Sequence, residues 1–275
     1  MLADSGPMFA PDRRGNRLER HSFEMAPDGL SHRLLLRASS EIADQFQSIK
    51  CLGYRASAAS RQLEGWTHCL QAAGPPHADA RELADLLSDV VTLPRLASID
   101  FALARDWYKT PEDGVPPGDW RNTPDGERVH VGKYWISSPA AKAQAGRSLV
   151  RRLAEVVRRH PLLASADVVV AVPGHDRTYL SFGERVAASV SAAVGLPLVK
   201  VTTSHEFRPP AKDLPGAGAV EWGQFAVPQS LAGKAAVIID DVFRTGRTMS
   251  ATGSAVRRAG ATCAFGLTAV RTMRR

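Results

Sequence analysis

Hydrophobic and polar positions follow two different periods along this 275-residue chain. In the amino-terminal third the period is helical. Ser39-Ser40-Glu41 reads as a helix start ahead of Ile42, Phe46 and Ile49 on one face. Ala59, Leu63, Trp66 and Leu70 fall at i, i+4, i+7 and i+11, which predicts a second amphipathic helix ended by Gly74-Pro75-Pro76. Leu83, Leu86, Leu87 and Val90 predict a third. Ala145, Leu149, Leu153, Val156 and His160 mark another helical face, with His160 at the helix end, where the dipole favours it. Beyond it the pattern changes to short apolar runs at 167–172, 198–201, 235–239 and 264–270. Such runs suit buried parallel strands. Helical stripes separate them, one on Phe182, Val186, Val190 and Val194 and another over 248–259. The alternation predicts an α/β fold with a doubly wound parallel sheet and a helical amino-terminal attachment.

Three segments follow from this pattern. Residues 1–28, rich in charge and proline, read as a disordered tail dispensable for the core. Residues 29–139 form a helical and aromatic-rich amino-terminal region, and 140–275 the core. Within the second, 106–139 reads as long and irregular, with Trp107, Tyr108, Trp120, Tyr134 and Trp135 among prolines, glycines and acids and a short strand at 129–131. Irregular segments of that length tend to be functional or disordered, and the aromatics argue for the former.

The formal net charge of +7 favours anionic partners, and a phosphate-rich small molecule fits it as well as nucleic acid does. Arg147, Arg151, Arg152, Arg158 and Arg159 read either as a solvated helix face or as a nucleic-acid patch. Cys51, Cys69 and Cys263 form neither a CxxC pair nor a zinc set and suit a reducing, cytoplasmic setting. No apolar run reaches membrane-spanning length, and the first residues lack the apolar centre of a secretory signal.

The chemistry concentrates in Ala235-Ala-Val-Ile-Ile-Asp240-Asp241-Val-Phe-Arg244-Thr245-Gly246-Arg247-Thr248. An apolar strand runs into two acids, then a turn with small hydroxyls, then a helix. Ligands of open α/β sheets bind at the carboxyl ends of strands. The turn can offer backbone amides and hydroxyls to a phosphate at the positive end of the helix, with Gly246 permitting close approach. The two carboxylates can accept hydrogen bonds from a sugar diol. A nucleotide-hydrolysing strand of the Walker B kind would require a GxxxxGK[ST] loop, which the chain lacks. A plain buried strand with incidental acids is the other alternative, and it does not call for the TGxT spacing.

This segment resembles the 5-phosphoribosyl-1-pyrophosphate (PRPP) signature of type I phosphoribosyltransferases, with Arg244 where a hydroxyl residue is frequent. The resemblance implies that Asp240 and Asp241 hold the ribose hydroxyls and Mg²⁺, and that Arg244, Thr245, Gly246, Arg247 and Thr248 surround the 5-phosphate. It also implies that the loop Pro173-Gly174-His175-Asp176-Arg177 contacts pyrophosphate. The order VAVPGHDRTYLSFGERVAASV, VKVTTSHEFRPPAKDL, WGQF and then the signature is similar to the ComF-like subgroup over roughly 140–275. Unlike many of that subgroup, this chain lacks amino-terminal cysteine pairs and has Gly183 and Glu184 where Asn and Gln are common.

The implied reaction transfers the 5-phosphoribosyl group from PRPP to a small-molecule acceptor and releases pyrophosphate. Arg177 would stabilise the leaving group, and a mobile loop over 203–223, with Arg208 and Lys212, would close over it. The short stretch after Thr248 leaves the acceptor pocket to be formed by the amino-terminal region, with 106–139 as a candidate hood. A homodimer is compatible with this reading. The competing functions are a non-catalytic PRPP or nucleotide sensor and a ComF-like DNA-handling accessory protein.

Overall fold

The computed structural model describes residues 15–57, 64–133, 138–174, 180–203 and 224–273. Strands β1 (Arg20–Met25) and β2 (Ser31–Arg37) form an antiparallel hairpin. Its turn is made by Pro27-Asp28-Gly29. The Asp28 carboxylate accepts from the Leu30 and Ser31 amides at 2.9 Å and from the Ser31 hydroxyl at 2.7 Å, while Gly29 takes φ +63°. These bonds, the Ser31 hydroxyl foremost, hold the Asp28 carboxyl below its usual range.

The hairpin corrects the expectation of a disordered tail over 1–28. Strand β1 is a polar, partly exposed edge strand, so its composition imitates disorder. The apolar half of the pairing comes from Leu34, Leu35 and Leu36 of β2, all essentially buried. Ahead of the hairpin, Leu18 is buried and Asn16 exchanges backbone hydrogen bonds with Thr92 at 2.9 and 2.8 Å. Residues 1–14 lie outside the described residues.

Helices α1 (Ser40–Ser48) and α2 (Ala78–Asp89) form where the periodicity places them. Between them, however, Leu70 belongs to a strand and not to the expected helix. Strand β3 (Arg55–Ala56) and strand β4 (His68–Ala73) complete a four-stranded antiparallel sheet in the order β1-β2-β4-β3. Gly65, at φ +81°, turns the chain into β4, and the Arg20 guanidinium lies 4.1 Å from the centre of the Trp66 ring. Pairing with the leucines of β2 outweighs the helical spacing, as strand preference follows packing more than local pattern. Ala59 and Leu63 lie outside the described residues.

The chain then enters the central sheet through β5 (Val91–Thr92) and β6 (Phe101–Trp107). The strand expected at 129–131 is instead part of helix α3 (Pro124–Lys133). The helix starts as its sequence permits: the Thr123 hydroxyl accepts from the Gly126 amide at 3.0 Å, and Pro124 occupies the first helical position. Helix α4 (Pro139–Arg159) and the short α5 (Pro161–Ala164) lead to β7 (Val168–Ala171), and α6 (Phe182–Val194) leads to β8 (Leu198–Val199). A two-stranded ribbon of β9 (Thr202–Thr203) and β10 (Phe225–Ala226) precedes β11 (Ala235–Phe243), α7 (Arg247–Arg258) and β12 (Cys263–Arg271).

The central sheet has the order β5-β6-β12-β11-β7-β8 and is parallel except for β5. Alternate residues of its strands feed two cores. Val169, Val237, Ile239 and Leu267 pack with Leu149 and Leu153 of α4 and Val186 and Val190 of α6. Val168, Val170, Ile238 and Ala264 pack with Met249 and Val256 of α7. Helices therefore cover both faces, as expected for a doubly wound α/β sheet. Among the described residues no helix is long and apolar enough to cross a membrane.

Two buried polar groups lock the layers together. Asp125, fully buried, is 3.0 Å from Arg128 and 2.9 Å from Arg152, with Arg105 at 3.9 Å, so one carboxylate joins α3, α4 and β6. His160 ends α4 as expected, but as a neutral core residue and not as a charge on the helix dipole. Its ring stacks on Phe101 at 4.7 Å, Nε2 donates to Gln45 Oε1 at 3.0 Å and Nδ1 accepts from the Leu162 amide at 3.3 Å. Burial pushes its pKa down to about 3.

Candidate functional site

Because β6, β12, β11 and β7 run parallel, their carboxyl ends lie along one edge. Strand β11 extends to Phe243, beyond the residue 239 suggested by its apolar run. Asp240 and Asp241 therefore belong to the strand, with Asp240 in register with Thr268 of β12. Successive strand residues face opposite sides of a sheet, and here the two acids nevertheless remain coupled. The Asp241 amide donates to Asp240 Oδ1 at 2.8 Å. Burial first, and then the Asp241 carboxylate, raises the Asp240 carboxyl well above the usual range, partly offset by the Asp241 amide and then by Lys133.

Lys133, the last residue of α3, donates from Nζ to Asp241 Oδ2 at 2.8 Å across 108 residues of sequence. Sequence reasoning missed this contact. Two glycines let α3 approach closely enough to make it. A Cβ on Gly126 would lie 1.9 Å from the Tyr108 carbonyl oxygen, and one on Gly132 would lie 2.6 Å from the Phe182 ring. Gly183, next to Phe182 on α6, borders the acids from the other side: a Cβ there would lie 3.2 Å from Asp240 Oδ1 and 3.4 Å from the Asp241 amide nitrogen.

The turn following β11 places Gly246 at φ +75° as the residue before α7. A Cβ would lie 2.6 Å from Phe243 and 2.7 Å from Leu96, so both backbone angle and packing select glycine. Thr245 is exposed, while Arg244, Arg247 and Thr248 are partly buried. The Arg247 amide donates to Thr245 Oγ1 at a long 3.5 Å. At the end of β12, Arg271 donates to the carbonyls of Phe243, at 3.5 Å, and Arg244, and its guanidinium lies 4.9 Å from the centre of the Phe243 ring. Arg271 thus braces the exit from β11 and was not singled out from the sequence.

Pro173 and Gly174 follow β7 at the same edge, where the Val172 amide continues the ladder to the Ile239 carbonyl at 3.0 Å. A Cβ on Gly174 would lie 2.8 Å from Ser181 Cβ and 3.0 Å from Glu184 Oε2. Glu184 is committed to a reciprocal cap of α6, accepting from the Ser181 amide at 2.8 Å while its own amide donates to Ser181 Oγ at 3.1 Å. His175 and Arg177, together with Arg208 and Lys212, lie outside the described residues.

The aromatic segment leaves the same edge, since the Tyr108 amide donates to the Arg271 carbonyl at 2.8 Å. Trp120 is a packing residue whose Nε1 donates to the Val115 carbonyl at 2.9 Å. Tyr134 and Trp135 lie outside the described residues.

The arrangement brings together an acid pair and a glycine turn at a helix start. Magnesium fits this donor set, because it is commonly held by one or two carboxylates plus substrate phosphates and water. No group of three or more candidate metal ligands occurs among the described residues.

No protein-family model and no curated protein matches the chain. A structure of purine phosphoribosyltransferase from Pyrococcus horikoshii Ot3 is similar at 19% identity, covering 46% of this chain and 82% of that one, with a TM-score of 0.33. Adenine phosphoribosyltransferase from Saccharomyces cerevisiae, complexed with D-2,5-dideoxy-2,5-imino-altritol 1,6-bisphosphate and adenine, is similar at 16% identity over 70% of this chain and 89% of that one, also with a TM-score of 0.33.

Proposed function

We propose that the protein is a phosphoribosyltransferase that binds PRPP at the carboxyl edge of the central sheet. The observation that carries this reading is the continuity of the strand-borne acid pair Asp240–Asp241 with the Gly246 turn at the start of α7. Asp240 and Asp241 would accept hydrogen bonds from the ribose hydroxyls. The amides of the first turn of α7, with the Thr245 and Thr248 hydroxyls, would hold the 5-phosphate. Arg271 would keep the turn in position from behind.

In the reaction the bond between C1 of the ribose and pyrophosphate oxygen breaks, and the acceptor's lone pair forms the new bond to C1. Pyrophosphate carries away the bonding electrons. Arg177, Arg208 and Lys212 would neutralise that growing charge, while Pro173, Gly174 and His175 shape the pyrophosphate loop. Mg²⁺, when bound through Asp240 or Asp241 and the substrate, would supply further positive charge there. The acceptor would enter from the side of the aromatic segment.

Calorimetric titration with PRPP and Mg²⁺, paired with an assay of pyrophosphate release, tests the reading. Charge-assisted hydrogen bonds contribute about 1.5–3 kcal/mol each. The double substitution D240N/D241N should therefore weaken PRPP binding by roughly a hundredfold or more. Undiminished PRPP affinity would refute the site. Binding without turnover for any acceptor would favour a sensor.

A further inference from the structure

Strand β1 is an outer strand of the four-stranded antiparallel sheet, paired with β2 along one side. In an antiparallel pair, alternate residues turn both backbone groups toward the partner. The Ala26 amide donates to the Ser31 carbonyl at 2.9 Å, which fixes the alternation. Arg20, Ser22 and Glu24 bond to β2, and His21, Phe23 and Met25 turn their N–H and C=O groups to the open edge. Among the described residues nothing pairs with these outward groups. The side chains alternate between the two faces of the sheet. Phe23 lies on the face covered by α2, with the Arg81 guanidinium 4.8 Å from its ring centre. Arg20, Ser22 and Glu24 share the other face, where the Ser22 hydroxyl donates to Glu24 Oε1 at 3.3 Å and Arg20 lies over Trp66.

Charged side chains on an edge strand ordinarily discourage pairing with other strands. The charges of β1 are, however, complementary to β1 itself. A second copy laid antiparallel about a two-fold axis at Ser22 sets Arg20 opposite Glu24 of that copy, and Glu24 opposite its Arg20, all on one face. The same register sets His21 opposite Phe23 of the copy in both directions, so the outward backbone groups of these residues exchange hydrogen bonds. A shift of two residues either way sets Arg20 or Glu24 against Ser22 and loses both ion pairs. A shift of one sets outward groups against groups already bonded to β2. We propose that the β1 edge is an interface for a second copy of this chain, joining the two antiparallel sheets into one across a two-fold axis, independently of the phosphoribosyl reaction. Met25, 66% exposed, lies at each end of this joint. At the opposite edge β3 has two residues and is too short to template a further strand, so association closes at a dimer. The contact is small beside the roughly 1,200 Å² or more of stable complexes, which makes the dimer weak and concentration-dependent.

Sedimentation velocity of the full chain across about 1–300 µM tests the interface. A dimer fraction that rises with concentration is expected. R20E and E24R each set like charges opposite one another in both pairs and should weaken dimerisation by about tenfold or more. The double substitution R20E/E24R restores opposite charges and should return the dimer to near parental strength. H21P removes an outward N–H and leaves the bonds to β2 in place, so it should abolish dimerisation while the thermal midpoint stays near the parent's. E24R and H21P keep the Arg20–Trp66 contact, so they carry the test if R20E fails to fold. None of these residues lies at the carboxyl edge of the central sheet, so the outcome is independent of whether PRPP binds there. A parent that stays monomeric at the highest concentration would overturn the proposal. So would a dimer undiminished in E24R and H21P, which would place the contact on another surface. Loss of the dimer in both charge variants without rescue in a folded double variant would refute the register.

Discussion

Replacing Gly246 by alanine separates backbone strain from packing at the proposed phosphate turn. Gly246 and Gly233 share φ +75°, but a Cβ on Gly233 would meet nothing within 4 Å, whereas one on Gly246 would lie 2.6 Å from Phe243 and 2.7 Å from Leu96. Left-handed backbone costs a non-glycine residue about 1–2 kcal/mol. Reduced entropy of the unfolded chain returns about 0.4–1 kcal/mol of that. Gly233→Ala should therefore destabilise by roughly 0.5–1 kcal/mol. Gly246→Ala adds the cost of overpacking, about 1–3 kcal/mol. The Phe243 ring is poorly placed to yield, because Arg271 lies over it. Urea denaturation of both variants should show the difference directly. With PRPP and Mg²⁺ at about a hundred times Kd, the parent and Gly233→Ala should gain about 2.7 kcal/mol of stability. Gly246→Ala should gain much less. Equal stabilities and equal ligand increments for the two variants would refute both the packing argument and the turn's role.

Two further perturbations probe residues whose surroundings only the folded chain brings into view. Lys133→Met should weaken PRPP binding by about tenfold, the equivalent of about 1.4 kcal/mol, and Lys133→Arg should recover most of it; unchanged titrations would show that the ion pair with Asp241 is incidental. His160 tests the buried neutral imidazole. Its folded pKa of about 3 lies below the unfolded value of about 6.5, so the unfolded chain takes up a proton that the folded chain excludes. Stability should fall as pH drops from about 6.5 toward 3, with no contribution from this group above that window. His160→Gln should flatten this acid limb in pH-dependent urea melts, and an unchanged slope would assign the acid sensitivity to other groups.

The parts of the fold legible in sequence are those whose local pattern and final environment agree. The parallel strands β7, β11 and β12 are continuous apolar runs because both faces of the sheet are covered, and α4, α6 and α7 carry ordinary amphipathic stripes. Strand β1 was hidden by its polar edge position, and β4 by apolar residues that also fit a helix until β2 pairs with them. Strand β6 is buried like its neighbours, but Arg105 and Asp106 interrupt the apolar signal; Arg105 reaches Asp89 at 2.8 Å, and Asp106 accepts from Arg17 at 2.6 Å. Helix α3 carried a readable start at Thr123-Pro124, obscured by the glycines that its close packing requires.

The same distinction applies at the site. Everything between Asp240 and Thr248 is local, so a strand, an acid pair and a glycine turn can be recognised in order without knowing the fold. Lys133, Gly183 and Arg271 carry no such signal. A lysine ending a helix is ordinarily solvated, a glycine in a first helical turn is ordinarily a matter of composition, and an arginine ending a strand is ordinarily exposed. Each acquires meaning from what the sheet places beside it: Asp241 Oδ2 at 2.8 Å for Lys133, the Asp240 carboxylate for Gly183, and the Phe243 ring for Arg271. A local motif can therefore identify where a ligand would be held. The groups that orient the motif come from α3, α6 and β12, and their selection depends on the tertiary fold.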